Sequence, residues 1–179
     1  MRRKTLLFCL SGALTLTRLV PLATLSRQAG EGLFAMGAHL RVKSAVWLAL
    51  RNAIRAAGAP CQALPDGASI ETGESDYEPD AVVNCGPAMA DDAIAAPNPV
   101  IVVEVLSPGT AAADTGGKLV GYFQVPSVVH YLIIHATKRV VTHHRRTSDG
   151  IDMRIIVAGA VEMTPPGLTI SLDEIYDAG

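Results

Sequence analysis

Two acidic residues and one lysine are the side chains of this sequence best suited to chemistry. Asp80 follows Pro79 at the start of an apolar segment, and Glu104 lies within PVIVVEVL, among aliphatic residues. Lys118 follows in TGGKLVGYF. A buried carboxylate without a partner is costly, so it either becomes neutral or binds a compensating group. The position of Glu104 therefore predicts such a partner.

A divalent cation is one partner that suits both acids. Strands that follow each other closely in the chain often lie side by side, which would bring Asp80 and Glu104 together. Two close carboxylates repel and raise each other's pKa, and a cation removes that conflict. Mg²⁺ commonly binds one or two carboxylates with water and a substrate phosphate. An ammonium such as that of Lys118 then positions or activates water and offsets charge on phosphorus.

Each of the three residues also has an ordinary structural explanation. Asp80 is explained as a turn residue after proline, and Glu104 as an edge-strand or interface residue that faces water. Lys118 is explained as a solvated helix residue. The sequence leaves these alternatives open, and it is the combination of the three residues that favours a metal site.

The surrounding sequence predicts the elements that position these residues. The clearest helix is 38–57, which ends before Gly58 and Pro60. In CQALPDGASIE, two extended pieces flank a turn that is typical of a hairpin. The remaining pattern predicts a helix over 114–124, a last helical turn in SLDEIY, and strands near 80–84, 100–106, 128–135, 139–144, 153–157 and 168–172. Strands interspersed with helices predict an α/β or α+β domain with a mixed sheet and flanking helices.

Composition indicates one globular domain. The chain has 179 residues, of which 49% are hydrophobic and 18% are charged, and its net charge is −2. The chain is therefore not a polycation, and nucleic-acid binding would need a local basic patch. HATKRVVTHHRR, residues 135–146, is the main basic cluster. Within it His143-His144-Arg145-Arg146 could contact phosphate backbones, and a solvated hairpin end is favoured. His39 opens the predicted first helix, near the predicted site.

The N-terminus and the cysteines bear on location. MRRKTLLFCLSGALTL has a basic start and an apolar stretch of signal-peptide length, so an export signal, an amphipathic helix and a misassigned start all remain open. The stretch is too short and interrupted to predict a membrane span. Cys9, Cys61 and Cys85 are widely spaced, which suggests neither a zinc site nor a disulfide framework. We expect a reducing, cytoplasmic compartment.

Two stretches carry a family resemblance. YEPDAVVNCG and PVIVVEVLSPGTAAADTGGKLVGYFQVPSVVHYLII resemble the Uma2 family of restriction endonuclease-like proteins, within the PD-(D/E)XK nuclease superfamily. The most specific pieces are the PD pair, the EVLSP strand end, and the D-x-x-x-K-x-x-x-Y helix followed by VPSVxHYL. The resemblance runs from about Gly32 to Tyr176. It divides the chain into a divergent segment, 1–30, and a Uma2-like nuclease domain, 31–179.

The resemblance implies a restriction-endonuclease-like core and a Mg²⁺-dependent phosphodiesterase site, with Mn²⁺ as a substitute ion and DNA as the substrate. Asp80 matches the aspartate of the PD pair, Glu104 the second acidic ligand, and the Val105 carbonyl a further metal ligand. Leu106 stands where the superfamily pattern has lysine. The resemblance therefore assigns the catalytic amine to Lys118 on the following helix.

One departure from the family leaves an alternative open. Family members begin with a YELxDGE-like segment that adds an acidic residue near the site, whereas this chain has QAGEGLFAMG, with only Glu31 as a counterpart. We expect a Mg²⁺-dependent endonuclease, and a two-fold homodimer would suit cleavage of duplex DNA. The alternatives are a catalytically inactive nuclease-fold protein for nucleic-acid binding or assembly, and an exported protein whose carboxylates are structural.

Overall fold

A computed structural model describes residues 22–73, 75–107 and 115–177, with side chains in the first helix from Met36 onwards. It contains three helices, α1 (Leu22–Ala57), α2 (Thr115–Gln124) and α3 (Leu172–Tyr176). The strands are β1 (Cys61–Pro65), β2 (Ile70–Glu71), β3 (Asp76–Tyr77), β4 (Ala81–Cys85), β5 (Pro99–Leu106), β6 (His130–His135), β7 (Val141–Arg146), β8 (Ile151–Ile156), β9 (Ala160–Met163) and β10 (Leu168–Ser171).

A six-stranded sheet forms the centre of the fold, in the order β1-β4-β5-β6-β7-β8. Only β5 and β6 pair in parallel, because α2 connects them and returns the chain to the same end of the sheet. The other neighbours in this sheet are antiparallel. Two small two-stranded sheets, β9–β10 and β2–β3, accompany it. The predicted mixed sheet with flanking helices is thus confirmed.

Both faces of the central strands are covered. On one face, α1 packs through residues such as Val46 and Leu50 against Val83 and Val103, together with α3 and the β9–β10 hairpin. On the other face, α2 packs through Tyr122 against β4, β5 and β6. A strand that is buried on both faces is apolar at consecutive positions. This explains the aliphatic run of β5 and makes Glu104 an exception within it.

The first helix is longer than predicted. It begins at Leu22 rather than Ala38, directly after Pro21. No other proline occurs before Pro60, so no residue of this stretch removes a helical hydrogen bond. The predicted divergent segment 1–30 therefore extends into α1, while residues 1–21 lie outside the described part of the chain.

The predicted β1–β2 hairpin is wrong. The turn is present, with Gly67 at a φ of 104°, but β1 pairs with β4 and β2 pairs with β3. Ile70 of β2 is buried in the apolar cluster on the α2 side, whereas β1 continues the main sheet. The two strands that the turn joins therefore lie in different sheets, because their side chains are buried in different places.

The prediction that the cysteines form no disulfide is also wrong. The antiparallel register of β1 and β4 places Cys61 opposite Cys85, and the two are joined by a disulfide. Strand pairing brings them together across a separation of 24 residues, which spacing alone does not reveal. The expected reducing compartment rested on cysteines without a disulfide, and disulfides persist mainly in oxidising compartments. The cytoplasmic location therefore stays a prediction that this observation does not support. Among the described residues, no helix has the length and apolarity needed to cross a membrane.

Two buried histidines connect the β9–β10 region to the main sheet. His130 Nε2 donates to the carbonyl of Pro165 at 2.8 Å, so its Nδ1 accepts the hydrogen bond that His143 Nε2 donates at 2.9 Å. Burial, reinforced for both residues by the charge of Arg145, lowers the pKa of each, and for His143 it does so to about 4. Both imidazoles are therefore neutral near pH 7.

The Cys61–Cys85 disulfide makes a direct prediction. Thiol alkylation of the denatured, unreduced chain should modify one cysteine, Cys9, and alkylation after reduction should modify all three. Mass spectrometry of the alkylated protein gives the count. Because closing a loop of this length stabilises a fold by roughly 3 kcal/mol, a Cys61→Ser/Cys85→Ser variant should also lose about that much. Three alkylated cysteines before reduction would contradict the pairing.

The buried histidines predict a pH-dependent stability. The folded-state pKa of His143 lies below its ordinary value of 6.5, so between about pH 4 and 6.5 the unfolded chain binds more protons than the folded one. The free energy of unfolding should therefore fall as pH is lowered through that range. Urea titrations at several pH values measure it, and His143→Gln should make the dependence shallower. An equally steep dependence in the variant would refute this assignment.

Candidate functional site

The two predicted acids lie at the same end of the central sheet. Ala81 of β4 lies opposite Val103 of β5 in an antiparallel register, so the start of β4 is beside the end of β5. Asp80 Oδ2 accepts a hydrogen bond from the backbone N–H of Val105 at 2.6 Å. The carboxylate of Asp80 therefore lies next to the strand position that carries Glu104.

Glu104 receives two donors from α2. It is 8% exposed, and its Oε1 accepts hydrogen bonds from Lys118 Nζ and Tyr122 Oη, each at 2.7 Å. Lys118 and Tyr122 are four residues apart, so they share one face of the helix. The structure thus places Glu104 and Lys118 in contact, and it adds Tyr122. Tyr122 was not among the predicted site residues, and its i, i+4 spacing from Lys118 is the sequence signal that could have indicated it.

The hydroxyl of Tyr122 stays protonated. Its residue is fully buried, and burial together with the charge of Glu104 raises the pKa of Tyr122 far above its ordinary range. The ring lies 5.2 Å from that of Tyr77 and 5.1 Å from that of Tyr131, both tilted, which are favourable aromatic geometries. Packing therefore holds the hydroxyl in place as a donor to Glu104.

Asp80 is bound to a lysine that the sequence analysis did not select. Lys43 Nζ lies 2.7 Å from Asp80 Oδ1 and 2.6 Å from Asp66 Oδ2. Burial acts to lower the pKa of Lys43, but its hydrogen bonds and charge interactions with Asp66 and Asp80 outweigh burial and raise that pKa. Lys43 is therefore a firmly protonated partner of Asp80.

Both backbone groups of Val105 are engaged. Its N–H donates to Asp80, and its carbonyl accepts a hydrogen bond from His39 Nε2 at 2.7 Å. His39 and Lys43 are four residues apart on α1, as Lys118 and Tyr122 are on α2. A carbonyl oxygen has two lone pairs, so the bond from His39 leaves one for another ligand. His39, expected only to lie near the site, contacts its backbone.

A close contact at Gly121 sets the position of α2. A Cβ at Gly121 would lie 2.5 Å from Cε2 of Tyr77 and 3.0 Å from its hydroxyl oxygen. Only a residue without a side chain lets Tyr77 approach the helix this closely. Gly121 directly precedes Tyr122, so the same contact helps to determine where the Tyr122 hydroxyl lies.

The oxygen donors of the site suit Mg²⁺. Two carboxylates and a backbone carbonyl are hard ligands, and Mg²⁺ takes its remaining ligands from water and substrate. Within the described residues, no three histidine, cysteine or acidic side chains form a metal-binding group. Among those same residues Glu104 Oε2 makes no hydrogen bond, whereas both Asp80 oxygens have donors. The oxygen ligands of the site therefore fit Mg²⁺. A bound ion would compete with Lys43 for the Asp80 carboxylate.

Three of the four residues at 143–146 are held within the fold. Arg146 donates to the carbonyls of Phe123, Val125 and Val128, at 2.8 to 3.0 Å. His143 and His144 are buried on opposite faces of β7, the latter stacked on Tyr131. The favoured solvated hairpin end therefore does not describe His143, His144 and Arg146. Arg145 is part exposed, and a phosphate contact by this residue stays a prediction. The side chain of Glu31 lies outside the described part of the chain.

Comparison with known proteins bears on the family. Residues 30–173 match the family model of Uma2, described as "putative restriction endonuclease". The chain belongs to the Uma2 family. The match covers the whole of the sheet and α2, and therefore all the residues of the candidate site.

Two individual proteins are similar to this chain. An uncharacterized Synechocystis protein, slr1290, is 31% identical over 124 residues, covering 62% of this chain and 65% of that protein, a little under two thirds of its length. The crystal structure of a "putative nuclease belonging to DUF820" from Anabaena variabilis superposes with a TM-score of 0.63 at 13% identity, covering 78% of this chain and 80% of that one. The second likeness shows that the two chains share a fold.

The contact between Gly121 and Tyr77 predicts a stability loss. Gly121→Ala should destabilise the fold by about 1 to 3 kcal/mol, because the added methyl group displaces the Tyr77 ring. Gly116→Ala is the matched control in the same helix, since a Cβ there meets nothing within 4 Å. It should change stability by less than about 1 kcal/mol, in the stabilising direction. Chemical denaturation compares the two, and equal stabilities would contradict the close contact.

Proposed function

We propose that this protein is a Mg²⁺-dependent endonuclease that hydrolyses phosphodiester bonds in DNA. Two observations support the proposal: Asp80 binds the backbone N–H of Val105, next to Glu104 in β5, and Glu104 binds Lys118. Membership of the Uma2 family and the nuclease-like fold support the reaction class. The substrate and the ion are inferred from the chemistry of these side chains.

In this proposal Asp80, Glu104 and the carbonyl of Val105 hold the ion. When bound, Mg²⁺ neutralises charge that develops on the phosphate and favours ionisation of a nucleophilic water. The ammonium of Lys118, held by Glu104, donates a hydrogen bond to the attacking water or to a phosphate oxygen and offsets negative charge on phosphorus. The effect of the Lys118 ammonium depends on where it lies, and α2 determines that position.

Three further residues act as positioning residues. Tyr122 orients the Glu104 carboxylate, His39 orients the Val105 carbonyl, and Lys43 orients Asp80. Outer partners of metal ligands typically contribute 10 to 100-fold to affinity or activity.

A second candidate is a nuclease-fold protein that binds nucleic acid without cleaving it. One observation favours it: each carboxylate already has a cationic partner within the chain, Lys43 at Asp80 and Lys118 at Glu104. Charges that are paired in this way do not require a metal ion for stability. This candidate predicts DNA binding that is independent of divalent ions.

Plasmid nicking tests the proposed activity. Supercoiled DNA should be cut in the presence of Mg²⁺ or Mn²⁺, and EDTA should abolish cutting. Asp80→Asn and Glu104→Gln should each lower the rate by at least about 100-fold, because removing a metal ligand costs more than removing its outer partner. Asp66→Asn is the matched control, since Asp66 binds the same lysine but lies on the β1–β2 turn. It should retain the activity.

The two candidates give different results in the same preparation. Cleavage that survives Asp80→Asn would show that the nuclease resides elsewhere and overturn the assigned site. Absence of cleavage with Mg²⁺ or Mn²⁺, together with a gel shift that EDTA leaves unchanged, would support the binding protein instead. Circular dichroism of each variant verifies that the loss is not due to unfolding.

A further inference from the structure

The last strand of the main sheet is exposed along its whole length. β8 lies at the edge of the sheet beside β7, and every residue from Ile151 to Ile155 is exposed to solvent. On one face it carries a row of large apolar side chains, Ile151, Met153 and Ile155, with exposed fractions of 44%, 58% and 63%. Val157 just beyond the strand is also exposed. Such a row is unusual at a surface that contacts only water.

The backbone of β8 offers a second feature. Among the described residues β8 pairs only with β7, so the hydrogen-bonding groups on its outer side have no strand partner. Proteins usually protect an edge strand with prolines, inward charges, bulges or a covering element. β8 contains no proline, and its register with β7 runs without a bulge from Ile151 to Ile156. Of the usual protective features β8 has charged residues, Asp152 and Arg154, so a partner strand must match these charges.

The opposite face of β8 carries charges of both signs. Asp152 and Arg154 alternate with the apolar residues and lie on the side of His143 and Arg145. Asp152 is 3.4 Å from Arg145, whereas Arg154 has no ion pair with any residue that the structure describes. A partner strand that presents an acidic residue to Arg154 would complete this face.

A second copy of β8 meets both requirements in one register. In an antiparallel pair centred on Met153, Ile151 lies opposite the second copy's Ile155, and Asp152 lies opposite the second copy's Arg154. Directly opposed residues share a face, so the apolar row continues across the pair and the charges match in sign. The strand is thus complementary to itself under a two-fold rotation.

Neighbouring registers are unfavourable. A pair centred on Asp152 opposes two aspartates, and a pair centred on Arg154 opposes two arginines, each of which is destabilising. A shift by one residue turns the apolar row towards the charged face of the other copy. Of the registers centred on Asp152, Met153 and Arg154, only the one centred on Met153 places unlike charges opposite each other.

We propose that two copies of this chain associate through β8, antiparallel and centred on Met153, so that their six-stranded sheets form one continuous sheet. The proposal gives the expected homodimer a defined surface. It goes beyond the proposed function and does not depend on it, because no residue of the candidate site takes part.

Variants that reverse the charges of β8 test the proposed interface, with the oligomeric state measured by sedimentation velocity. Wild-type protein at tens of micromolar should be dimeric. Asp152→Arg and Arg154→Asp each oppose like charges at two places, so each should raise the dimer dissociation constant by at least about tenfold. An equimolar mixture of the two variants should restore the dimer, since every arginine of one then lies opposite an aspartate of the other. The double variant Asp152→Arg/Arg154→Asp should dimerise alone.

Matched controls carry the same charge changes at exposed positions elsewhere. Arg55→Asp on α1 and Asp92→Arg in the β4–β5 loop should remain dimeric. A monomeric wild type would overturn the proposal, and so would a dimer that both single variants retain. A mixture of the two variants that stays monomeric would refute the register.

Cross-linking tests the register without altering charge. Met153→Cys lies on the proposed axis, so a short thiol-specific cross-linker should join the two copies. Val120→Cys, at an exposed site on α2, is the control and also accounts for reaction at Cys9. A cross-linked yield for Met153→Cys no higher than for Val120→Cys would contradict the proposed pair.

Discussion

A carboxylate within a strand that is buried on both faces is the constraint on which the rest of the site depends. Glu104 is surrounded by aliphatic residues of β5 and its neighbours, where an unpaired charge is costly. Lys118 and Tyr122 offset this cost, and both come from α2. The position of α2 along the sheet and its rotation about its own axis are therefore both fixed. Gly121, beside Tyr122, allows the close approach to Tyr77 that this position needs.

The site is assembled by two helices from opposite faces of the sheet. α1 supplies His39 and Lys43, and α2 supplies Lys118 and Tyr122, each as an i, i+4 pair. The pairs meet at the end of β5, around the backbone of Val105. Groups on regular elements are held more closely than groups on loops. This arrangement favours chemistry that depends on fixed charge. It also explains why the two carboxylates are stable without a metal ion, because each has a lysine partner.

Several elements were predictable because their signals are local. The aliphatic run of β5, the helix before Gly58 and the i, i+4 pattern of α2 all depend on residues close in sequence. Asp80 and Glu104 were recognisable for the same reason, as acids within apolar strands. Lys43 was not, because an exposed-looking lysine on an amphipathic helix is common, and its partners are contributed by the β1–β2 turn and the start of β4.

The sequence alone determined the fold class, the family resemblance and the acids and lysine of the candidate site, since these depend on short patterns of residue type. Tertiary structure decided what those residues contact: the Cys61–Cys85 disulfide, the pairing of β1 with β4, and the lysine that binds Asp80. These features depend on strand order and register. Both are set by burial summed over two faces of a sheet, a property that no single segment contains.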